Sequence, residues 1–299
     1  VSLHRIELIV TAPDSALIAG CGYVGQRVAA VWQQNGMQVH AITRSAAKAQ
    51  DLSKAGITPI HLDLADAAKP IQLPDVDVVL WCVGFDRSTG TSRQAIWIDG
   101  LQRLLNALHR RAEPRRILYT SSTSVYGDGH GQDVDETTKP SPTSEGGKAC
   151  LAAEQLLRTY SMQNSASVSI LRLAGIYGPN RLLRRIADLQ NGTPIMSPPD
   201  EWLNLIHVDD AVRAIDCICR LESPPPLINI VAGESSTRRQ YYSQLAIMAN
   251  AGPPTFATEP ELQTRLRGGN RRVISVLRDS IPIAFKYDTI TEGLRHAFS

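Results

Sequence analysis

Gly20-Cys21-Gly22-Tyr23-Val24-Gly25 reads G-x-G-x-x-G, a pattern that brings backbone close to a phosphate when it follows a strand and opens a helix. The apolar run Ser15–Ala19 precedes it, and Val24, Val28, Ala29 and Val31 follow at helical spacing. Gly20 then serves the tight turn, Gly22 the approach to a pyrophosphate, and Gly25 the packing of helix on strand. The helix N-terminus supplies N–H donors for the anion. A ligand-free glycine turn is the competing reading, and the strand–turn–helix context favours a dinucleotide. An NAD-selective site places an acid at the end of the second strand to bind the ribose 2′-hydroxyl. The sequence has Thr43-Arg44-Ser45 there instead, and a guanidinium suits a 2′-phosphate. NADP is the expected cofactor, with NAD the alternative.

Arg181, Arg184 and Arg185 recur at helical spacing just after Tyr177-Gly178-Pro179. On one helix face, Arg181 and Arg184 could hold a phosphate of a substrate; a solvated basic face fits equally well, with Leu182, Leu183 and Ile186 buried opposite. His207, Asp209 and Asp210 could suggest a metal. Their place before a helix expected at Ala211–Leu221 suits capping better, and no metal is expected. Five scattered cysteines without a CxxC pair read as reduced, packed thiols of a cytoplasmic protein.

These residues need a frame, and the pattern supplies one. Apolar runs at Ser15–Ala19, Met37–Thr43, Thr58–Leu62, Val76–Val83, Arg116–Ser121 and Ser167–Leu173 alternate with helical stretches, among them Ala46–Ala55, Ala95–Arg111 and Thr143–Gln163. Such alternation predicts an α/β fold, a doubly wound parallel sheet of Rossmann type. After Pro179 the rhythm loosens around paired prolines, which predicts a smaller C-terminal substrate-binding lobe. The expected division is a dinucleotide-binding domain over 14–180, with 204–231 returning to the sheet, and the lobe over 181–203 and 232–299.

Composition limits the partners. With 31 basic and 29 acidic residues the net charge is +2, which gives no footprint for nucleic acid. No apolar run approaches the roughly 20 residues of a membrane span. The stretch Val1–Pro13 carries a His-Arg pair and Glu7, which break a signal-peptide pattern; a remnant of processing is one reading of it.

Three further segments carry a resemblance: Ser121-Ser122-Thr123-Ser124-Val125-Tyr126-Gly127, Leu171–Pro179 (LRLAGIYGP) and Asn204–Asp210 (NLIHVDD). With the glycine loop and Asp63 they span about Ala16 to Val231 in order, and the chain resembles the extended and atypical short-chain dehydrogenases/reductases, the NAD-dependent epimerase/dehydratase group. The segments Asn270–Val273 and Glu292–Leu294 are similar to one divergent branch of it.

The resemblance implies that Ser122 bonds the substrate's reacting oxygen and that Lys148 holds the nicotinamide ribose. The catalytic tyrosine belongs four residues before that lysine, where this chain has Ser144. Ser122, Ser144 and Lys148 are thus the implied catalytic set. Gly20 to Gly25, Thr43, Arg44, Ser45, Asp63, Lys148 and Tyr177 form the cofactor set, and Ser122, Arg181 and Arg184 the substrate set. Tyr126 and Tyr177 either reach the nicotinamide or pack beside it. Ala19 stands where relatives carry the first glycine of the loop, and Thr123-Ser124 replace the Asp-Glu pair of sugar dehydratases. Two hydroxyls cannot supply that acid and base.

The implied function is an NAD(P)-binding oxidoreductase or epimerase-like protein acting on a nucleotide sugar or a small carbonyl or hydroxyl compound. A non-catalytic dinucleotide sensor or scaffold is the alternative. A homodimer through Ala95–Arg111 and Thr143–Gln163 is compatible with the resemblance.

Overall fold

A computed structural model describes residues 13–86, 88, 90–109, 114–181, 183–258 and 269–298. The stretch 1–12, the expected helix end at Arg110–Arg111, and Leu182 lie outside the described residues. In chain order β1 (Ser15–Ala19), α1 (Tyr23–Gln34), β2 (Gln38–Thr43), α2 (Ala46–Lys54), β3 (Thr58–His61) and β4 (Val78–Trp81) come first. Then follow α3 (Gly100–His109), β5 (Arg116–Ser122), β6 (Asp133–Val134), α4 (Glu145–Gln163), β7 (Ser167–Leu173) and β8 (Gly175–Tyr177). The remainder holds α5 (Leu183–Gln190), β9 (Trp202–Leu203), β10 (Leu205–His207), α6 (Val208–Arg220) and β11 (Leu227–Ile230). It ends with β12 (Ser236–Thr237), α7 (Arg238–Met248), β13 (Arg272–Val273) and α8 (Ile290–Phe298).

Seven strands form one parallel sheet in the order β11-β7-β5-β4-β1-β2-β3. All four residues of β4 are buried, as a strand covered on both faces must be. One face carries the core of Ile18, Val28, Trp32 and Leu80, and the other that of Leu17, Val79, Leu104 and Leu157. The chain order reverses between β1 and β4, so their carboxyl ends part there. A doubly wound sheet opens its ligand crevice at this switch point.

Two elements differ from the periodicity. The stretch expected as one helix from Ala95 starts as a π-helical segment, Gln94–Asp99, before α3. Helix α6 starts at Val208, three residues before the expected Ala211, and His207 caps it by accepting from the Asp209 N–H at 3.2 Å. Asp209 and Asp210 therefore lie inside the first turn. The Asp210 carboxylate accepts the Lys286 and Tyr287 amides at 2.7 Å each and pins the C-terminal segment to α6. Burial pushes its pKa above the usual carboxylate range.

Beneath the carboxyl edge of the sheet lies a buried ion pair. Arg172 of β7 grips Glu154 of α4 through Nε at 2.9 Å and Nη2 at 2.6 Å, and the Ser121 hydroxyl donates to the same carboxylate at 2.7 Å. Both charged side chains are buried, at 1% and 0% exposure. This clasp joins α4, β5 and β7. A separate small apolar cluster, with Tyr177, Tyr241, Leu245 and Leu294, holds α7 and α8 together.

Candidate active site

At the switch point the glycine loop is shaped by what a Cβ would meet. Gly20 has φ +90°, and a Cβ there would lie 2.5 Å from the Cys82 carbonyl oxygen. A Cβ on Gly25 would lie 2.7 Å from the Gly20 carbonyl oxygen, so α1 packs onto β1 only without one. At Gly22 a Cβ would meet nothing within 4 Å: this glycine borders open space at the start of α1. No acidic side chain occupies the first turn of α1, leaving the positive end of that helix uncompensated from within. An open approach at Gly22 beside a helix N-terminus fits a dinucleotide pyrophosphate.

A cavity of about 330 Å³ continues from this loop. Gly20, Cys21, Gly22, Thr43, Arg44, Ser45 and Asp63 line it together, so seven of the expected cofactor residues meet in one place. Lys48, Val83, Gly84 and Ile96 line it as well and escaped the sequence reading. Lys48 was within reach, since it follows Ser45 by one helical turn. Ser45 caps α2 by accepting from the Lys48 amide at 3.3 Å, which fixes both residues at the mouth. Arg44 pairs with Asp86 at 3.3 Å, with 39% of its side chain exposed. Asp63 accepts the Ala65 amide at 2.9 Å and holds the chain after β3 in a turn. Burial pushes the Cys21 thiol up to about 11, so this lining thiol stays neutral.

The remaining expected cofactor residues lie elsewhere. Val24 and Gly25 are buried between α1 and the sheet. The Tyr23 hydroxyl donates to the Pro179 carbonyl at 2.8 Å, and its ring carries the guanidinium groups of Arg27 at 4.0 Å and Arg181 at 5.0 Å. Tyr177 is 3% exposed within the small apolar cluster, its hydroxyl against the bare backbone of Gly293. Tyr126 is also 3% exposed and donates to Asn229 Oδ1 at 2.8 Å. Burial raises the pKa of both phenols, away from the range useful for proton exchange.

Ser122, Ser144 and Lys148 are drawn to one end of the sheet because Gly147 lets α4 approach the turn Thr123–Tyr126. A Cβ on Gly147 would lie 2.6 Å from the Ser124 carbonyl oxygen. Each hydroxyl has structural work. Ser122 caps that 3₁₀ turn by accepting from the Ser124 amide at 3.1 Å, and Ser144 caps α4 by accepting from the Gly147 amide at 3.1 Å. The position expected to carry a catalytic tyrosine is therefore a helix cap, a role serine fills well. Lys148 bonds Glu145 at 2.9 Å, with 58% of its side chain exposed.

Arg181 and Arg184 separate. Arg181 stacks on Tyr23, whereas Arg184 lines a second cavity of about 460 Å³, with Arg185, Glu201, Arg238 and Tyr242. His207, Asp209 and His296 do come together, with ligand-type atoms within 4.8 Å of one another. The tautomer speaks against a metal. His207 Nδ1 accepts the Asp209 amide, so its Nε2 carries the proton facing His296 Nδ1 at 3.2 Å. Burial holds the His207 pKa down to about 4, so the ring is neutral.

A glycine-lined crevice at the switch point of a doubly wound parallel sheet defines a dinucleotide-binding protein, and a second cavity offers room for another ligand. Residues 16–231 match the NAD dependent epimerase/dehydratase family, and the chain belongs to it; it is an NAD-binding, epimerase-like protein. Protein YeeZ of Escherichia coli K12 is 28% identical over 276 residues, covering 90% of this chain and 94% of its own. A putative NAD-dependent epimerase/dehydratase from Methylobacillus flagellatus is 26% identical, with a TM-score of 0.74 over 94% of this chain and 96% of that one. UDP-glucose 4-epimerase of Thermotoga maritima, solved with UDP-glucose, shares the fold with a TM-score of 0.79 at 17% identity, over 95% and 97% of the two chains. Among the described residues no helix is long and apolar enough to cross a membrane.

Proposed function

We propose that the chain binds NADP in preference to NAD in the crevice between β1, β2 and β4 and oxidises or reduces a nucleotide-linked sugar or a small hydroxyl compound beside it. The observation that carries this reading is the open approach at Gly22 joined to the cavity shared by Arg44, Ser45 and Lys48. Gly20, Cys21 and Gly22 hold the pyrophosphate at the start of α1, and Asp63 and Thr43 shape the pocket for the rest of the cofactor. Arg44, helped by Lys48, takes the 2′-phosphate in exchange for its exposed bond to Asp86. An exposed pair of that kind is worth about 0–1 kcal/mol, so giving it up costs little. A bound nicotinamide supplies hydride transfer. Ser122 offers a donor to the reacting oxygen, and Lys148 turns from Glu145 to the ribose.

Without a phenol at position 144, proton exchange falls to weaker groups, and losing a positioned acid–base typically costs about 10²–10⁴-fold. Slow turnover is the expectation. The second cavity beside Arg184 supports a nucleotide-linked substrate and weighs against a purely sensory role. Five free thiols suit a reducing, cytoplasmic setting, and the α3–α4 face is the proposed homodimer contact.

Titration calorimetry with NADP and NAD tests the preference. A charge-assisted bond is worth about 1.5–3 kcal/mol, so NADP should bind about ten- to a hundredfold more tightly. Arg44→Asp should erase that margin while leaving NAD binding nearly intact. Equal affinities in the parent would reject the role of Arg44.

A further inference from the structure

Arg93 stands apart from the other cations near the site. Its guanidinium lies over the Phe85 ring at 3.9 Å, with the Trp97 ring 5.8 Å away. Phe85 and Trp97 meet edge to face at 5.9 Å, and the Trp97 indole donates to the Val83 carbonyl at 2.8 Å. The stack is thus tied to the strand end that lines the dinucleotide cavity through Val83 and Gly84. Arg93 also faces the first turn of α4, where a Cβ on Gly146 would lie 3.9 Å from its Nε. Ser144 caps that same turn.

Two features make this arginine unusual. Its Nε is buried with no hydrogen-bond partner, although leaving a buried donor unpaired is costly. No carboxylate of the described residues pairs with it, whereas Lys148 is matched by Glu145 and Arg44 by Asp86. Its buried neighbour Cys150 has a thiol pushed up to about 11 and offers no countercharge. The segment that begins just after Arg93 is π-helical, Gln94–Asp99, a geometry common at functional sites. Stacking fixes the plane of the guanidinium and leaves its edge of N–H groups to meet a planar anion side-on.

We infer that Arg93 is a specificity-determining residue, which rests on the proposed function above, and that it holds a carboxylate of the substrate beside the Ser122–Ser144 end of the crevice. A guanidinium does not exchange protons, so Arg93 selects and orients the substrate and leaves proton transfer to other groups. It also supplies the positive charge that the paired lysine does not. The substrate is thereby narrowed to an acidic sugar or hydroxy acid.

The test is calorimetry on the full chain at saturating NAD, with UDP-glucuronate and UDP-glucose as probes that differ at the carboxylate. The parent should prefer UDP-glucuronate by about ten- to a hundredfold. Arg93→Gln should remove that preference while the UDP-glucose affinity and the NAD-induced rise in Tm stay as in the parent. Arg93→Lys, which keeps charge but not the fork, should retain only part of it, and serves if the Gln variant fails to fold. A parent that binds both probes equally, or neither, overturns the role of Arg93, as does a preference that survives both substitutions. Absence of any Tm rise in the parent with either NAD or NADP is a different result: it removes the dinucleotide reading, whatever the probes show.

Discussion

The two ends of the crevice treat their polar groups differently. At the glycine-loop end, the open side of Gly22, the exposed Arg44 and the start of α1 leave room and donors for a ligand. At the other end, Ser122 and Ser144 spend their oxygens on helix caps, Lys148 is paired, and Tyr126 is bonded into the core. The first end is arranged for binding. The second is arranged first for folding, with chemistry left to groups that must be freed. The comparison teaches that a match of residue type to a family position does not by itself show what the side chain is doing there.

The sharpest way to break this contrast is through the clasp under the second end. Glu154→Ala would strand Arg172 as a buried, unpaired charge, a change that costs about 3–5 kcal/mol. Chemical denaturation should show a loss of that size, with NAD binding retained by the molecules that remain folded. A loss under 1 kcal/mol would mean the clasp does not hold β5, α4 and β7 together.

A pH scan probes the lobe side. Because burial lowers the His207 pKa to about 4 from an ordinary value near 6.5, the unfolded chain binds the extra proton first. The contribution is complete above about pH 6.5 and falls away as pH drops toward 4, a span on the order of 3 kcal/mol. His207→Gln keeps an acceptor for the Asp209 amide and should flatten the melting curve across that window. An unchanged pH profile would show that His207 is not the group responsible.

At the first end, Gly22→Val should leave the fold intact, since a Cβ there meets nothing within 4 Å. The added branches would fill the pyrophosphate approach. Thermal melts should then lose the cofactor stabilisation, about 2.7 kcal/mol at a hundredfold excess over Kd. A variant stabilised as much as the parent would place the phosphates elsewhere. Smallest is Ser144→Ala, which removes a cap worth about 1 kcal/mol. Ser144→Asp should restore that stability, and an equal loss of Tm in both would contradict the capping role.

Much of the fold was legible. The spacing of apolar runs set the bounds of β1 and β7 to the residue, and the strand–helix alternation foretold a doubly wound parallel sheet. The loop itself was legible because each glycine answers a local demand of turn, approach or packing. The starts of α6 and α3 were not. His207 is a rare cap that pattern rules do not favour, and Gln94–Asp99 adopts π geometry where Trp97 and Arg93 meet Phe85 across the chain.

What the sequence by itself determined is whatever depends on neighbours a few residues apart: strand runs, the strand–turn–helix phosphate loop, the serine four residues before Lys148. Only the tertiary structure decided which side chains were already committed. Tyr177 and Tyr126 became core residues, Arg181 went to the Tyr23 ring while Arg184 went to the second cavity, and the Arg93 Nε was left without a hydrogen bond. Whether a polar group is satisfied depends on atoms brought near it from distant parts of the chain, as Glu154 and Arg172 or Tyr126 and Asn229 are here. Hydrogen bonds and burial act over a few ångströms in space, and residue spacing along the chain does not encode that distance.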